Sequence, residues 1–84
     1  MIRTDESGQG AVAVTASDTV DIAYPSGTRY GRWIYVGATG DLKVKLADGS
    51  DATFTGVAAG VFHPIAVIRV YSTGTTATGI IAII

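Results

Sequence analysis

No stretch of this chain repeats apolar residues at the i, i+3, i+4 and i+7 positions of a helix without an interrupting glycine. A glycine inside a helix costs roughly 1 kcal/mol relative to alanine, so the pattern disfavours helices throughout. The 11 glycines instead separate short segments rich in Val, Ile and Thr, whose branched side chains suit a pleated strand. At 84 residues the chain has the size of one domain. The sequence therefore predicts a single all-β domain.

Short alternating segments, separated by Gly, Pro or Asp-Gly turn signals, have the residue types of strands. The alternation is clearest over residues 41–47, where Leu42, Val44 and Leu46 share one face. The seven candidate strands are residues 11–15, 18–24, 29–36 (strongest over 32–36), 41–47, 52–57, 61–71 and 80–84. About seven short strands at this spacing predict a small antiparallel β-sandwich or barrel with a jelly-roll-like arrangement.

The N-terminal part of the chain allows two more detailed expectations. Residues 1–10 are polar and punctuated by glycine, so we expect a flexible N-terminal arm before a β domain over residues 11–84. Alternation over residues 18–24 places Val20, Ile22 and Tyr24 on one face.

The best turn signal in the chain is the Asp48-Gly49 pair, which predicts a hairpin between the fourth and fifth candidate strands. On the returning strand, alternation places Phe54 on the core face and Thr53 and Thr55 in water. Pro64 lacks a backbone N–H, so it is the expected break in residues 61–71.

Two segments, residues 65–70 and 80–84, are mostly apolar on both faces of the predicted strand. A domain this small has one interior, so the second face is expected to meet another subunit. The alternative is that these strands lie in the middle of a sheet with a loop or the arm covering one face. The residues of the predicted oligomer interface are Ile65, Val67, Ile80, Ile81, Ile83 and Ile84.

Aromatic and basic residues are clustered over residues 29–35. If Ile34 and Val36 face the core, alternation directs Trp33 and Tyr35 outward, beside Arg32. Exposed aromatic residues next to Arg are typical of protein interface hot spots, so these three residues form the predicted partner-docking surface. They are equally suited to stacking on a sugar or a base, and a reversed register would instead place the aromatic residues in the core.

Few residues in the chain suggest chemistry. There is no cysteine, and His63 is the only histidine, which we interpret as a surface or turn residue. Asp48 and Asp51 flank a hairpin turn and lack the longer series of ligands that a calcium loop needs. A net charge of −1 disfavours nucleic-acid binding, and no apolar run approaches the length of a membrane span. We therefore expect no enzymatic activity, metal, cofactor, nucleic-acid partner or membrane association.

Several segments of the chain resemble a family of small phage and prophage proteins known as head-spike base proteins, found in gene transfer agents of alphaproteobacteria and in related tailed phages. The resemblance lies in strands and turns, and none of the matching residues is catalytic. The matching segments are DTVD (residues 18–21), IYVGATGDLKVKL (residues 34–46), TFTGVAAG (residues 53–60), PIAVIRV (residues 64–70) and TGTTATGI (residues 73–80).

The resemblance implies a structural virion protein, located on the capsid surface after assembly in the host cytoplasm. It would oligomerise as a ring, either a pentamer or a trimer, and anchor a spike or fibre. Its partners would be copies of itself, the capsid protein and the spike or fibre protein. Two alternatives remain open from the residues. One is a capsid decoration or cement protein, and the other is a glycan-binding module that uses Trp33 and Tyr35.

Overall fold

Every regular element is a β-strand in the part of the chain that the computed structural model describes, which is residues 10–25, 27–28 and 30–84. This confirms the all-β prediction. The number of strands agrees with the sequence, but residues 18–24 form no strand and residues 61–71 contain two. The strands are β1 (Ala11–Ala13), β2 (Trp33–Tyr35), β3 (Gly40–Leu46), β4 (Asp51–Val57), β5 (Phe62–His63), β6 (Val67–Val70) and β7 (Ile81–Ile83).

The strands form two antiparallel sheets, which makes the domain a β-sandwich. One sheet has four strands in the order β1-β7-β2-β5, and the other has three in the order β4-β3-β6. Alternate side chains of each sheet point inward, as the period of a strand requires. The buried core residues are Ile22, Ile34, Val36, Leu42, Val44, Val67, Val70, Ala77, Ile80 and Ala82.

The predicted alternation is confirmed in the two strands where it is clearest. On β3, Leu42 and Val44 are 1% and 0% exposed. On and after β2, Ile34 and Val36 are both 0% exposed, whereas Trp33 is half-buried. The aromatic residues of β2 therefore occupy the face opposite the core.

The Asp48-Gly49 signal forms the predicted hairpin between β3 and β4. Gly49 adopts a φ of 89°, a backbone conformation that residues with a side chain rarely adopt. The Asp48 carboxylate accepts hydrogen bonds from the Ser50 N–H at 2.9 Å and the Ser50 hydroxyl at 2.6 Å. These hydrogen bonds favour the ionised form and lower the pKa of Asp48.

Residues 14–22 lead from the four-stranded sheet to the three-stranded sheet. The Val14 N–H donates to the Ile80 carbonyl at 3.1 Å, and further along, the Ser17 N–H donates to the Val70 carbonyl at 2.8 Å. The Ile22 N–H then donates to the Ile68 carbonyl at 2.9 Å. This crossing places β1 and β6 on the same side of the sandwich.

The crossing explains why the prediction of a strand over residues 18–24 was wrong. Ile22 reaches the core and Tyr24 packs against it, but Val20 is 64% exposed. A segment that crosses between sheets has no neighbouring strand whose backbone hydrogen bonds would enforce alternation of its side chains. The Tyr24 hydroxyl instead anchors the segment by donating to the Val67 carbonyl at 2.7 Å.

Pro64 divides the long apolar segment, as its missing N–H predicts. Before it, β5 pairs with β2 in the four-stranded sheet. After it, β6 pairs with β3 in the other sheet. The chain therefore changes sheets over residues 64–66.

Phe54 departs from the expected core position. It lies opposite Leu42 on the inward side, but β4 is an edge strand and leaves Phe54 37% exposed. Its ring lines a depression of about 320 Å³ between β4 and β5, together with Leu42, His63 and Ile65. The sandwich is open on this side, opposite the crossing of residues 14–22.

The predicted arm falls on residues 1–9, which lie outside the described residues, and on Gly10. Gly10 and Ile84 exchange two backbone hydrogen bonds, of 3.0 Å and 2.9 Å. Gly10 thus continues the pairing of β1 with β7 and belongs to the sandwich.

Candidate functional site

The outward side of the four-stranded sheet carries a continuous row of apolar side chains, which we call the apolar face. In one row, Trp33 lies opposite Ile83, and Ile83 lies opposite Ala11. In the next row, Tyr35 lies opposite both Ile81 and Phe62, and Ile81 lies opposite Ala13. The apolar face therefore consists of Ala11, Ala13, Trp33, Tyr35, Phe62, Ile81 and Ile83.

None of the four strands that form this sheet contains Asp, Glu, Lys or Arg. On the inward side, Ile34 and Ala82 lie opposite each other and are both 0% exposed, and β5 contributes His63 opposite Ile34. The sheet therefore has apolar side chains on both sides, although one side already fills the core.

The side chains of the apolar face remain accessible to different degrees. Phe62 is 57% exposed, whereas Trp33 and Tyr35 are half-buried. The rings of Tyr35 and Phe62 lie with centroids 5.4 Å apart and planes tilted by 48°. Such tilted contacts are favourable, and they hold both rings against the sheet.

At one end of the apolar face lies a depression of about 460 Å³. Trp33, Ile83 and Phe62 form its sides, and the small residues Gly10 and Ala11 leave it open. A contiguous apolar surface with a recess is typical of a protein contact site.

The structure brings together two surfaces that the sequence predicts separately. Trp33 and Tyr35, from the predicted docking surface, lie beside Ile81 and Ile83, from the predicted oligomer interface. Arg32 is exposed just before β2, and its N–H donates to the Ile83 carbonyl at 2.7 Å. The residues of both predictions thus meet on one sheet.

The remaining predicted interface residues lie elsewhere. Val67 and Ile80 are 0% and 8% exposed in the chain's own core, so they offer no surface to a partner. Ile65 is half-buried beside the depression between β4 and β5, and Ile84 is half-buried next to Gly10. Apolar residues on both faces therefore have two explanations in this fold: some fill the core and some form the apolar face.

Sequence reasoning missed Ala11, Ala13 and Phe62 as members of this surface. The period of a strand puts Ala11 and Ala13 on the same side of β1, but it does not say which strands lie beside them. What the sequence lacks is the order β1-β7-β2-β5, which aligns those sides into one face.

The outward side of the three-stranded sheet is polar and charged, in contrast to the apolar face. Lys45 lies opposite both Asp51 and Arg69. Arg69 forms an ion pair with Asp21, with Nε 2.8 Å from Oδ1. The Tyr71 hydroxyl donates to the Asp51 carboxylate at 2.7 Å, which raises the pKa of Tyr71 because the bond favours the protonated phenol.

A second polar contact ties the crossing segment to the loop before β7. The Asp18 carboxylate accepts hydrogen bonds from the Thr73 hydroxyl at 2.6 Å and the Thr73 N–H at 2.9 Å. These bonds stabilise the ionised carboxylate and lower the pKa of Asp18.

The described residues contain no group of three or more His, Cys, Asp or Glu side chains arranged to hold a metal ion. His63 lies on β5, where its Nε2 is 3.0 Å from the Ala58 carbonyl oxygen. Across the same described residues, no helix has the length and apolar character needed to cross a membrane.

Fold and surface together define a small β-sandwich with one uncharged apolar face and one charged face. No family model matches the chain, and no curated protein matches it either. Among solved structures, the chain is similar to one from the capsid of a native GTA (gene transfer agent) particle computed with C5 symmetry. The two share 28% sequence identity with a TM-score of 0.78, over 98% of this chain and 92% of the other.

This similarity extends over nearly the whole domain, so it includes both sheets. It supports a capsid-related, structural role in a virion or virion-like particle.

Proposed function

We propose that this protein is a head-spike base: a non-enzymatic protein of a phage or gene-transfer-agent particle that assembles as a ring on the capsid surface and anchors a spike or fibre. The observation that carries the proposal is the apolar face, in a chain that is similar over 98% of its length to a GTA capsid chain. The C5 symmetry with which that capsid was computed supports a fivefold ring over a trimer.

The apolar face is the surface that docks to another particle protein. A Trp and two further aromatic rings beside two isoleucines have the composition of an interface centre, where aromatic anchors exclude water. The absence of charge from all four strands suits burial, because no ion must lose its hydration without a partner.

The surface chemistry favours a protein partner over a glycan. Across the sheet, Trp33 lies in one row with Ile83 and Ala11. These aliphatic neighbours match the apolar centre of a protein interface.

The test is incorporation of the Trp33→Ala variant into particles, measured by mass spectrometry of purified particles. Truncating a hot-spot aromatic residue typically costs about 2 kcal/mol or more, which corresponds to a roughly thirtyfold weaker contact. The matched control is Tyr30→Ala, since Tyr30 is a 51% exposed aromatic residue outside the four strands. Wild-type amounts of the Trp33→Ala protein in particles would contradict the docking role of this face.

The same particles separate a head-spike base from a decoration protein. If the protein anchors a spike, particles that lack it also lack the spike or fibre in electron micrographs. If it is a cement protein, those particles keep their appendages and their shells break at lower temperature.

A further inference from the structure

Strand edges are the places where a β-sandwich presents unpaired backbone N–H and C=O groups. In the part of the chain that the structure describes, the sandwich has four edge strands: β1 and β5 in one sheet, and β4 and β6 in the other. The chain protects two of them. Residues 17–22 hydrogen-bond to the outer side of β6, and β5 has only two residues before Pro64. Within the described residues, β1 and β4 have no such cover.

The free edge of β4 is defined by the orientation of Thr53. Its opposite residue on β3 is Lys43, whose N–H donates to the Thr75 hydroxyl at 3.0 Å and whose carbonyl accepts from the Tyr71 N–H at 2.9 Å. Both partners lie on the far side of β3 from β4. Opposite residues in an antiparallel pair either bond to each other or face apart, so the Thr53 N–H and C=O point outward.

The free edge of β1 follows from the same reasoning. Gly10 exchanges hydrogen bonds with Ile84, and the Val14 N–H donates to the Ile80 carbonyl. Alternate residues of β1 therefore bond to β7, and Ala11 and Ala13 direct their N–H and C=O groups outward. Both alanines are exposed, and their small side chains allow another strand to approach.

These two edges lie on opposite sides of the sandwich. The crossing of residues 14–22 joins β1 to the side of β6, whereas the depression lined by Phe54 and His63 places β4 beside β5. A contact between β4 of one copy and β1 of the next joins two different surfaces. Repetition of such a contact produces a ring when the rotation closes, whereas a contact of one surface with itself stops at a dimer.

The two sheet faces do not suit a head-to-tail contact. Stacking the apolar face of one copy on the charged face of the next would bury Lys45 and Arg69 against a sheet without a single carboxylate. The sheet faces are therefore available to bind other partners, and the strand edges are available to bind neighbouring copies of this chain.

We propose that β4 of one copy pairs with β1 of the next copy, so that each pair of neighbouring subunits shares a continuous sheet. The recognised partner is a second copy of this chain, bound through its backbone edge. The inference rests on the proposed function for the ring, but its test uses only the purified protein and needs no particle.

The test uses two proline variants that each remove one outward N–H. Thr53→Pro blocks the β4 edge and Ala13→Pro blocks the β1 edge, and proline is tolerated on edge strands where the N–H faces solvent. We expect wild-type protein to be oligomeric by native mass spectrometry at high micromolar concentration, and each variant to be monomeric. Thr53→Ala keeps the N–H and should remain oligomeric, which assigns the effect to the backbone.

Mixing the two proline variants gives the decisive result. Each retains one intact edge, so the mixture should form one-to-one heterodimers that grow no further. Wild-type monomers at this concentration, or proline variants that assemble like wild type, would overturn the proposal. A mixture without heterodimers would also overturn it, because it would indicate a contact of like edges. If circular dichroism shows that a proline variant is unfolded, amide hydrogen exchange of the wild type decides: the Ala13 and Thr53 amides must become protected as concentration rises, and unchanged exchange refutes the pairing.

Discussion

Trp33 lies directly opposite Ile83 in the antiparallel pair formed by β2 and β7. The two residues are far apart in the sequence, yet they form one row of the apolar face, with Ala11 on the other side of Ile83. A change at either residue therefore alters the same contact surface. This relationship links the predicted docking residues to the predicted oligomer interface.

The first prediction concerns a charge placed in this row. Ile83→Asp should remove the protein from particles as effectively as truncation of Trp33, because an unpaired charge in a buried interface costs roughly 3–5 kcal/mol. The isolated domain should keep its fold, since Ile83 is on the outward side of β7 and only half-buried within the chain. Particle mass spectrometry and circular dichroism of the purified variant measure the two effects.

Ile83→Val is the matched control, because it keeps the apolar surface and removes one methylene. It should incorporate nearly as well as wild type. An Ile83→Asp protein that is unfolded in isolation would indicate that Ile83 stabilises the single chain instead of a contact.

The second prediction tests the anchor of the crossing segment. Tyr24→Phe removes the hydroxyl that donates to the Val67 carbonyl at 2.7 Å, and should lower the free energy of unfolding by about 1 kcal/mol. Urea denaturation measures the change. Tyr30→Phe is the control, because Tyr30 is 51% exposed and its hydroxyl removal should leave stability unchanged. Equal effects of the two substitutions would contradict an anchoring role for the Tyr24 hydroxyl.

The same residue predicts a dependence on alkaline pH. Burial raises the pKa of Tyr24 above its ordinary value, because the phenolate loses hydration in the folded chain. A raised folded-state pKa stabilises the fold below the unfolded-state pKa, about 10, and this stabilisation is lost as pH rises through the folded-state value. Thermal unfolding followed above pH 10 should show a steeper loss for wild type than for Tyr24→Phe.

The third prediction concerns acid. The two hydrogen bonds from Thr73 lower the pKa of Asp18, so this carboxylate stabilises the fold above its unfolded-state pKa, about 3.9. The stabilisation is lost as pH falls through the lower folded-state value. Asp18→Asn should therefore reduce stability at neutral pH and flatten the decline below about pH 4. An unchanged acid profile would show that the contact adds nothing to stability.

Local patterns in the sequence predicted much of this fold because the interactions that decide them are local. The alternation of Leu42 and Val44 and the turn chemistry of Gly49 act within a few residues, so the β3–β4 hairpin follows directly. Val20 and Phe54 were misplaced for a non-local reason. Whether an alternating segment joins a ladder, and whether a strand lies at an edge, depends on strand order.

In the candidate site, too, local patterns predicted some features, and others depended on strand order. Alternation predicted that Trp33 and Tyr35 point away from the core, and the burial of Ile34 agrees. It could not separate Val67, which fills the core, from Ile83, which faces outward, since both belong to sequence segments that are mostly apolar on both predicted faces. That distinction requires the positions of the neighbouring strands, which no spacing in the sequence encodes.

The last prediction concerns the close approach of two backbones at the start of β3. A Cβ atom added at Gly40 would lie 2.5 Å from the Ala77 nitrogen and 2.8 Å from its Cα. Because these are backbone atoms beside a buried residue, they cannot rotate away, and Gly40→Ala should destabilise the domain by about 1–3 kcal/mol through overpacking. Urea denaturation measures this loss. Gly60→Asn is the comparison: an added Cβ there meets nothing within 4 Å, and Asn tolerates its positive φ of 73° better than most residues. The Gly60→Asn protein should unfold close to the wild-type midpoint, and a Gly40→Ala protein as stable as Gly60→Asn would contradict the close contact between Gly40 and Ala77.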